Sequence, residues 1–472
     1  MESEGNTARL TVKVKTGYAI GQFVDSIGFN IYYFFFLFFL TDFVGIPPAI
    51  AGTVSLIAIL WDAIFDPVAG YLSDNLKSQY GRRRPLMIAA VIPYSIALFL
   101  IFNNVSFSSQ GAFIYYLAMA IVFWSCYKFY VIPYFALGVE LTDDFNERTT
   151  LRAWASVGIY ISVLLTSALP PYLLAVFQQQ GISGANGWRL IATLFSLMLL
   201  LCAFICWHFT RGKEKFSQNE AQAQPQQSLL KSFVEIFKLK PTKFLAGSVF
   251  LWAIVSTMGT GSLIYLMSYT LGYSADRQSL FFIINSVVCI LWLPLIIWVS
   301  KYVDKKNIYA VALAIGTLGL LAFAFIGFPS FAFLILFCIV FCLGNSTYWT
   351  IYYSMMYDVC EVDDYVNQRR REGAITALMS FSQKLGAAIA TWMIGFMLSV
   401  SGYNGALDVQ TAAANKMILY LNTLFPGLFG IFAVLVILFY PITKKRFDAL
   451  IVALNARKKQ QQHTHDAFKK LL

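Results

Sequence analysis

Asp62 and Asp66 stand four residues apart in an apolar run, so on a helix both carboxylates project from one face. Two carboxylates held that close in apolar surroundings repel. The pair lowers its energy by taking up a cation or by holding a proton on one member. Three more charges share this setting: Asp25, Lys128 and Lys384 each interrupt an apolar stretch. Ionisable side chains at membrane depth are costly, and each marks a site of function by default. The three carboxylates and two ammonium groups leave one negative charge, which a single monovalent cation neutralises. The sequence has no metal-spaced His cluster, no nucleophile beside a His and no glycine-rich nucleotide loop. The expectation is a non-enzyme without cofactor, coupled to H+ or Na+, with no metal site beyond a possible Na+ at Asp62 and Asp66.

The elements that position these charges follow from composition. The chain has 472 residues, 58% hydrophobic, 17% aromatic and only 12% charged, whereas soluble proteins carry about 25% charged residues. A water-soluble enzyme is excluded. Twelve stretches are long and apolar enough to span a bilayer: 18–41, 47–72, 84–103, 111–139, 153–177, 188–209, 244–271, 278–300, 308–327, 330–356, 373–400 and 417–440. The Phe- and Tyr-rich run from Tyr32 to Phe39 looks strand-like in isolation, but its length and lack of polar alternation favour helix. At about 1.5 Å per residue, Asp25 and Lys384 fall roughly 12 to 17 Å from the starts of their helices, and Asp62 and Lys128 roughly 22 to 26 Å from theirs. These depths bring all of them near one level, as in a single buried cavity.

The 35 Lys+Arg exceed the 24 Asp+Glu, a net charge of +11. Arg9, Lys13 and Lys15, the Lys77 to Arg84 break, Arg211 to Lys243, Lys301 to Lys306, Arg369 to Arg371 and the tail from Lys444 all fall on one side, with little beyond Arg189, Arg277 and Lys416 on the other. The asymmetry predicts a multi-pass membrane protein with both termini cytoplasmic, and a bacterial inner membrane is the expected location. The basic excess then reflects topology and anionic membrane lipids, not nucleic acid. The seven cysteines read as small packing residues, and His463 and His465 lie in a polar tail. No removable signal sequence is expected, because the first apolar run is too long and too aromatic.

The polar break at 210–243 divides the chain into residues 1–209 and 244–445, each with six spans, followed by a cytoplasmic tail, 446–472. The halves echo each other. Gly70 to Asp74 and Gly81 to Arg84 after span 2 answer Lys301 to Lys306 after span 8. Glu140, Asp143, Asp144 and Arg148 after span 4 answer Asp358, Glu361, Asp363, Asp364 and Arg369 after span 10. Such duplication is expected of transporters. Asp74, Arg82, Glu140, Arg148, Asp358 and Arg371 are expected to form a breakable cytoplasmic clamp.

Gly70, Asp74 and Gly81-Arg-Arg-Arg84 resemble the loop signature of the major facilitator superfamily. Trp61-Asp-Ala-Ile-Phe-Asp-Pro67, Ile132-Pro-Tyr134, Glu147-Arg148, Asp358-Val-Cys-Glu-Val-Asp-Asp-Tyr365, Arg371-Glu-Gly373 and Phe381-Ser-Gln-Lys384 resemble the glycoside-pentoside-hexuronide:cation symporters, which include the melibiose and glucuronide carriers. The resemblance runs from about Tyr18 to Phe447. It implies an all-α integral membrane protein of twelve transmembrane helices in two pseudo-symmetric six-helix bundles. It also implies a monomeric secondary transporter that imports a small-molecule sugar or glycoside with a monovalent cation by alternating access.

By the same resemblance Asp62 and Asp66 bind the coupling cation, Lys384 links cation and sugar sites, and Trp349 packs on the sugar ring. The sequence departs from the melibiose carriers at Val131, where they carry a sugar-binding Asp, at Phe135 in place of Trp, and at Ser156 in place of Arg. Ser26 aligns with their sugar-binding Asp on span 1, with Asp25 one place earlier, and Arg152 lies one turn before Ser156. Melibiose specificity is not expected. The candidate substrate-binding set is Asp25, Ser26, Lys128, Phe135, Arg152, Trp349 and Lys384. Lys128 has no counterpart in the family pattern. Three roles stay open for it: receiving the anionic group of a sugar such as a glucuronide, sitting against Asp62 or Asp66 in place of sodium, or forming a purely structural pair. A carrier of lipid-like or other organic anions, or a proton-coupled or uncoupled variant, is the alternative.

Overall fold

The computed structural model describes residues 10–75, 83–105, 107–142, 145–212, 229–368 and 371–458. Lipid offers the backbone no hydrogen-bond partners, so an apolar chain satisfies its own peptide groups as helix. Among the described residues every regular element is helical, and twelve helices are long and apolar enough to cross a membrane.

In the first half α1 (Val12–Phe38) runs on through a wider turn at Phe39–Phe43. Then come α2 (Pro48–Asn75), α3 (Arg84–Ile101), α4 (Ser109–Glu140), α5 (Phe145–Gln179) and α6 (Gly184–Phe209). After α7 (Leu229–Lys238), α8 (Lys240–Gly261) continues through α9 (Leu263–Tyr265) and a wider turn at Leu266–Thr270. The second half goes on as α10 (Ala275–Val299), α11 (Lys305–Ile326), α12 (Phe331–Asn367) and α13 (Glu372–Val400), with a last span broken into α14 (Ala412–Asn422) and α15 (Leu424–Leu438). Helix α16 (Lys444–Lys458) follows. The Phe-rich run of span 1 is thus helical. The hydroxyls of Ser108, Ser183 and Thr411 accept from the backbone N–H groups of Gly111, Asn186 and Ala414, capping α4, α6 and α14.

The chain forms two compact units. The first comprises Met1–Gln222, Met267–Ile283 and Gly395–Gln410; the second comprises Ala223–Leu266, Ile284–Ile394 and Thr411–Leu472. The ends of spans 7, 8 and 11 farthest from the termini therefore group with the first half, a refinement of a division at 210–243. Within the first unit α1 packs on α5 and α6, α4 on α2 and α3, and α3 on α6. Within the second, α11 packs on α12 and α15, and α8 on α15. The pairs α3–α4, α1–α6 and α3–α6 thus recur as α11–α12, α8–α15 and α11–α15. One close approach is also repeated: Gly158 on α5 faces the carbonyl of Ala19 on α1, and Gly386 on α13 faces that of Phe250 on α8, where a Cβ would collide with backbone.

Several expected boundaries change. The polar break contains α7, whose Ile236 is buried while Val234 and Phe237 are exposed, and α8 begins at Lys240. The tail begins as α16; His463 and His465 lie outside the described residues. Helix α12 extends to Asn367, beyond the expected 356, because hydropathy marks the lipid-facing stretch while its acidic continuation is still compatible with helix.

Candidate functional site

Helix α4 is pinned to α1 by three tyrosines spaced i, i+3 and i+7. Tyr134 donates to the carbonyl of Tyr18 at 2.8 Å, Tyr130 to that of Gly21 at 3.2 Å, and Tyr127 to the carboxylate of Asp25 at 2.6 Å. The two backbone acceptors fix the register, so the third phenol meets Asp25 in a set geometry. The amide of Gln22, one turn earlier on α1, also donates to Asp25. Sequence reasoning passed over this ladder because tyrosines in an apolar helix look like packing; their seven-residue repeat was the available signal.

Tyr127 is followed by Lys128, which turns toward α2. Its ammonium lies 2.9 Å from Asp62 and 2.8 Å from Asp66. Asp62 and Lys128 have side chains only 1% and 7% exposed, while Asp66 is 34% exposed. The carboxylates share a helix face as their spacing requires, and the ammonium bridges them. The pairing is reinforced by Trp61 on α2, whose indole N–H donates to Ser125 on α4 at 2.9 Å. A buried ion pair of this kind is strongly destabilised when one partner is removed, by about 3–5 kcal/mol.

On α5 the Arg152 guanidinium stacks over the Phe135 ring with 5.1 Å to its centroid. Arg152 is exposed, and Asp25 lies within electrostatic range of both Arg152 and Lys128. Among the described residues no carboxylate forms an ion pair with Arg152. Ser26 is buried, and its carbonyl accepts from Asn30 at 2.7 Å. Asp25, Ser26, Asp62, Asp66, Lys128, Phe135 and Arg152 thus all belong to the first unit.

Trp349 and Lys384 belong to the second. Trp349 is half-exposed on α12 beside Tyr348, and Lys384 is half-buried on α13. Tyr352 on α12 donates to the amide oxygen of Gln383 at 3.1 Å, tying the two helices one residue before Lys384. The sequence did not signal this contact.

At the face nearest the termini, Arg83 donates to Glu140 at 3.0 Å and to Ser73 at 2.7 Å, and Lys15 pairs with Glu147 at 2.9 Å. In the second unit Lys305 pairs with Asp358 at 2.7 Å, and Arg371 bridges Asp363 at 2.7 Å and Glu235 of α7 at 2.6 Å. The Asp363 contact, then Glu235, holds the Arg371 charge more firmly than in a free arginine. Glu140, Asp358 and Arg371 therefore each pair inside their own unit. Arg82 and the side chains of Asp74 and Arg148 lie outside the described residues. Arg83, one place after the expected Arg82, is the partner of Glu140.

At the opposite face Asp42 accepts from Tyr403 at 2.6 Å and from Tyr269, joining the ends of spans 1, 7 and 11 inside the first unit. No group of His, Cys, Asp and Glu among the described residues is arranged to hold a metal ion. The arrangement suits binding and charge exchange in a buried polar patch.

Residues 17–444 match the family described as MFS/sugar transport protein. The chain is 28% identical to an uncharacterised symporter of Synechocystis, over 98% of this chain and 100% of that protein. It is 26% identical to the glucuronide carrier protein homolog of Escherichia coli, over 96% and 98%. Among solved structures, the nucleoside transporter NupG superposes with a TM-score of 0.66 at 12% identity, covering 90% of this chain and 99% of that one.

Proposed function

Because the chain belongs to the MFS/sugar transport family, and within it to the glycoside-pentoside-hexuronide:cation symporters, we propose that it imports a glycoside driven by protons, with Lys128 standing where sodium would otherwise bind. The protein is a multi-pass membrane transporter and not an enzyme. Its orientation, with both termini in the cytoplasm of a bacterial inner membrane, rests on the distribution of Lys and Arg.

The carrying observation is the position of Lys128. An ammonium 2.9 and 2.8 Å from Asp62 and Asp66 already supplies these carboxylates with their cation. A sodium ion would have to displace it from both carboxylates, at a cost of several kcal/mol. The built-in cation therefore favours a coupling ion that binds elsewhere.

A second observation bears on the sugar. Arg152, stacked on Phe135 with no carboxylate paired to it among the described residues, suits the carboxylate or sulfonate of an anionic sugar. The glucuronide carrier homolog among the relatives supports this class. Ser26, Trp349 and Lys384 are the proposed remaining contacts, with Trp349 offering an aromatic face to the sugar ring. The clamp at the cytoplasmic face is proposed from Glu140, Asp358 and Arg371, with Asp74, Arg82 and Arg148 as further members.

The test is uptake of a labelled glucuronide and its neutral glucoside counterpart by proteoliposomes, with sodium and pH gradients imposed separately. Accumulation under a pH gradient and indifference to sodium are expected. Accumulation driven by sodium alone would refute the proton reading.

A further inference from the structure

If Lys128 satisfies Asp62 and Asp66, the coupling proton needs another carboxylate, and the first unit provides one. Asp25 is half-buried, and the groups that hydrogen-bond to it are neutral: the Tyr127 hydroxyl on one oxygen and the Gln22 amide on the other. Among the described residues no basic group lies within ion-pair distance. The charged groups around it stand farther off, with Lys128 on α4 and Arg152 on α5 both in electrostatic range. Tyr94 on α3 and Tyr130 on α4 also face it, and Asp62 on α2 shares Tyr94 and Tyr127 as neighbours. From α6 Cys202 and Cys206 lie beside Tyr130.

We propose that Asp25 carries the coupling proton, and that Gln22 lets the site accept either protonation state. As the anion, Asp25 takes hydrogen bonds from Tyr127 and Gln22. Gln22 is 1% exposed, and its own carbonyl oxygen has no hydrogen-bond partner. When a proton adds to the carboxylate oxygen facing Gln22, a half-turn of the amide presents that carbonyl to the new O–H. Tyr127 goes on donating to the other oxygen. On the release side the O–H bond breaks, the proton passes to water and the amide turns back. A buried acceptor left idle in one state and used in the other is what a reversible proton site requires, since an unmet donor would penalise the neutral acid.

The local charge agrees. Asp25, Asp62 and Asp66 against Lys128 and Arg152 leave one negative charge, and a single proton cancels it. The protein's own groups then sum to zero, so the loaded patch carries only the single charge of the anionic sugar through low dielectric.

This inference rests on the proton-driven reading, and the experiments separate the two. In liposomes containing the full chain, nitrophenyl glucuronide is followed in two modes: accumulation under a pH gradient, and exchange without a gradient. Infrared difference spectra between acid and alkaline pH are recorded without substrate. For Asp25→Asn, loss of accumulation, and loss of a protonated-carboxyl band that titrates in the unaltered protein without substrate, are expected. Tyr127→Phe removes a donor to the anion and should move the titration midpoint upward by about one pH unit or more. It also serves where Asp25→Asn does not fold. Accumulation persisting in Asp25→Asn, the band surviving in it, or an unmoved midpoint in Tyr127→Phe overturns the assignment to Asp25 while leaving proton-driven transport intact. Sodium-driven accumulation in the unaltered protein overturns both.

Discussion

The ammonium of Lys128 on α4 lies 2.8 Å from the carboxylate of Asp66 on α2, and the same nitrogen reaches Asp62 one turn earlier. One lysine thus serves two acids that would otherwise repel. Replacing it with alanine strips this ammonium from the buried Asp62 and from the one-third-exposed Asp66, with an expected loss of about 3–5 kcal/mol of stability carried mainly by Asp62. Sodium should recover part of that loss, because the vacated position suits a monovalent cation; at a hundred times its dissociation constant a ligand restores about 2.7 kcal/mol. Thermal unfolding in sodium against choline chloride checks this. The unaltered protein should not distinguish the two salts, and Lys128→Ala should unfold at higher temperature in sodium.

Arg152 leads to a prediction about selectivity. Arg152→Gln keeps a polar side chain over Phe135 but removes the charge. A hydrogen bond to a charged partner contributes about 1.5–3 kcal/mol, so affinity for a glucuronide should fall by about 10- to 100-fold while that for the matching glucoside changes little. Competitive exchange assays with both sugars measure the ratio. Equal losses for the two would mean that Arg152 supports the fold instead.

The Arg83–Glu140 pair is largely buried, with side chains 7% and 16% exposed. Glu140→Gln keeps the shape and removes the charge, and should cost about 1–3 kcal/mol. Ser73→Ala takes away another acceptor of Arg83. A double-mutant cycle on unfolding midpoints should show coupling between these two positions, since both hold one guanidinium. Strict additivity would count against a shared role.

Gly158 permits α5 to lie against the backbone of α1. Gly158→Val places two methyl groups where even a Cβ meets the Ala19 carbonyl, so α1 and α5 must separate. Gly386→Val should do the same between α13 and α8. Both variants are expected to lose the monodisperse peak in fluorescence-detected size exclusion. Gly70→Val, where a Cβ meets nothing, is expected to keep it.

The twelve spans were legible because lipid leaves an apolar chain no option except helix, and Asp62, Asp66 and Lys128 were legible because charge at that depth is rare. Their pairing stayed one of several open readings. Four residues of spacing place two carboxylates on one face, but which cation reaches them depends on how α4 is rotated against α2. That rotation is fixed by the Tyr127, Tyr130 and Tyr134 ladder, whose members resemble ordinary aromatic packing. Asp42 was missed for a different reason: hydropathy ends span 1 just before it, whereas the helix continues through Phe43 and buries its contacts with Tyr269 and Tyr403. Arg83 was not singled out because, in a run of three arginines, direction depends on where α3 begins.

Arg83 to Glu140 in one half and Lys305 to Asp358 in the other join equivalent helix ends, with the larger acid and base on one side and the smaller on the other. If the halves descend from one ancestor, neither lineage had to pass through a broken pair. Exchanging arginine for lysine, or glutamate for aspartate, preserves the sign of each charge, so the two partners were free to change one at a time. The same freedom does not extend to Lys128, whose first appearance between two acids, or loss from them, changes the charge of the whole patch in a single step. The clamp can therefore change by small steps, and the ion site cannot.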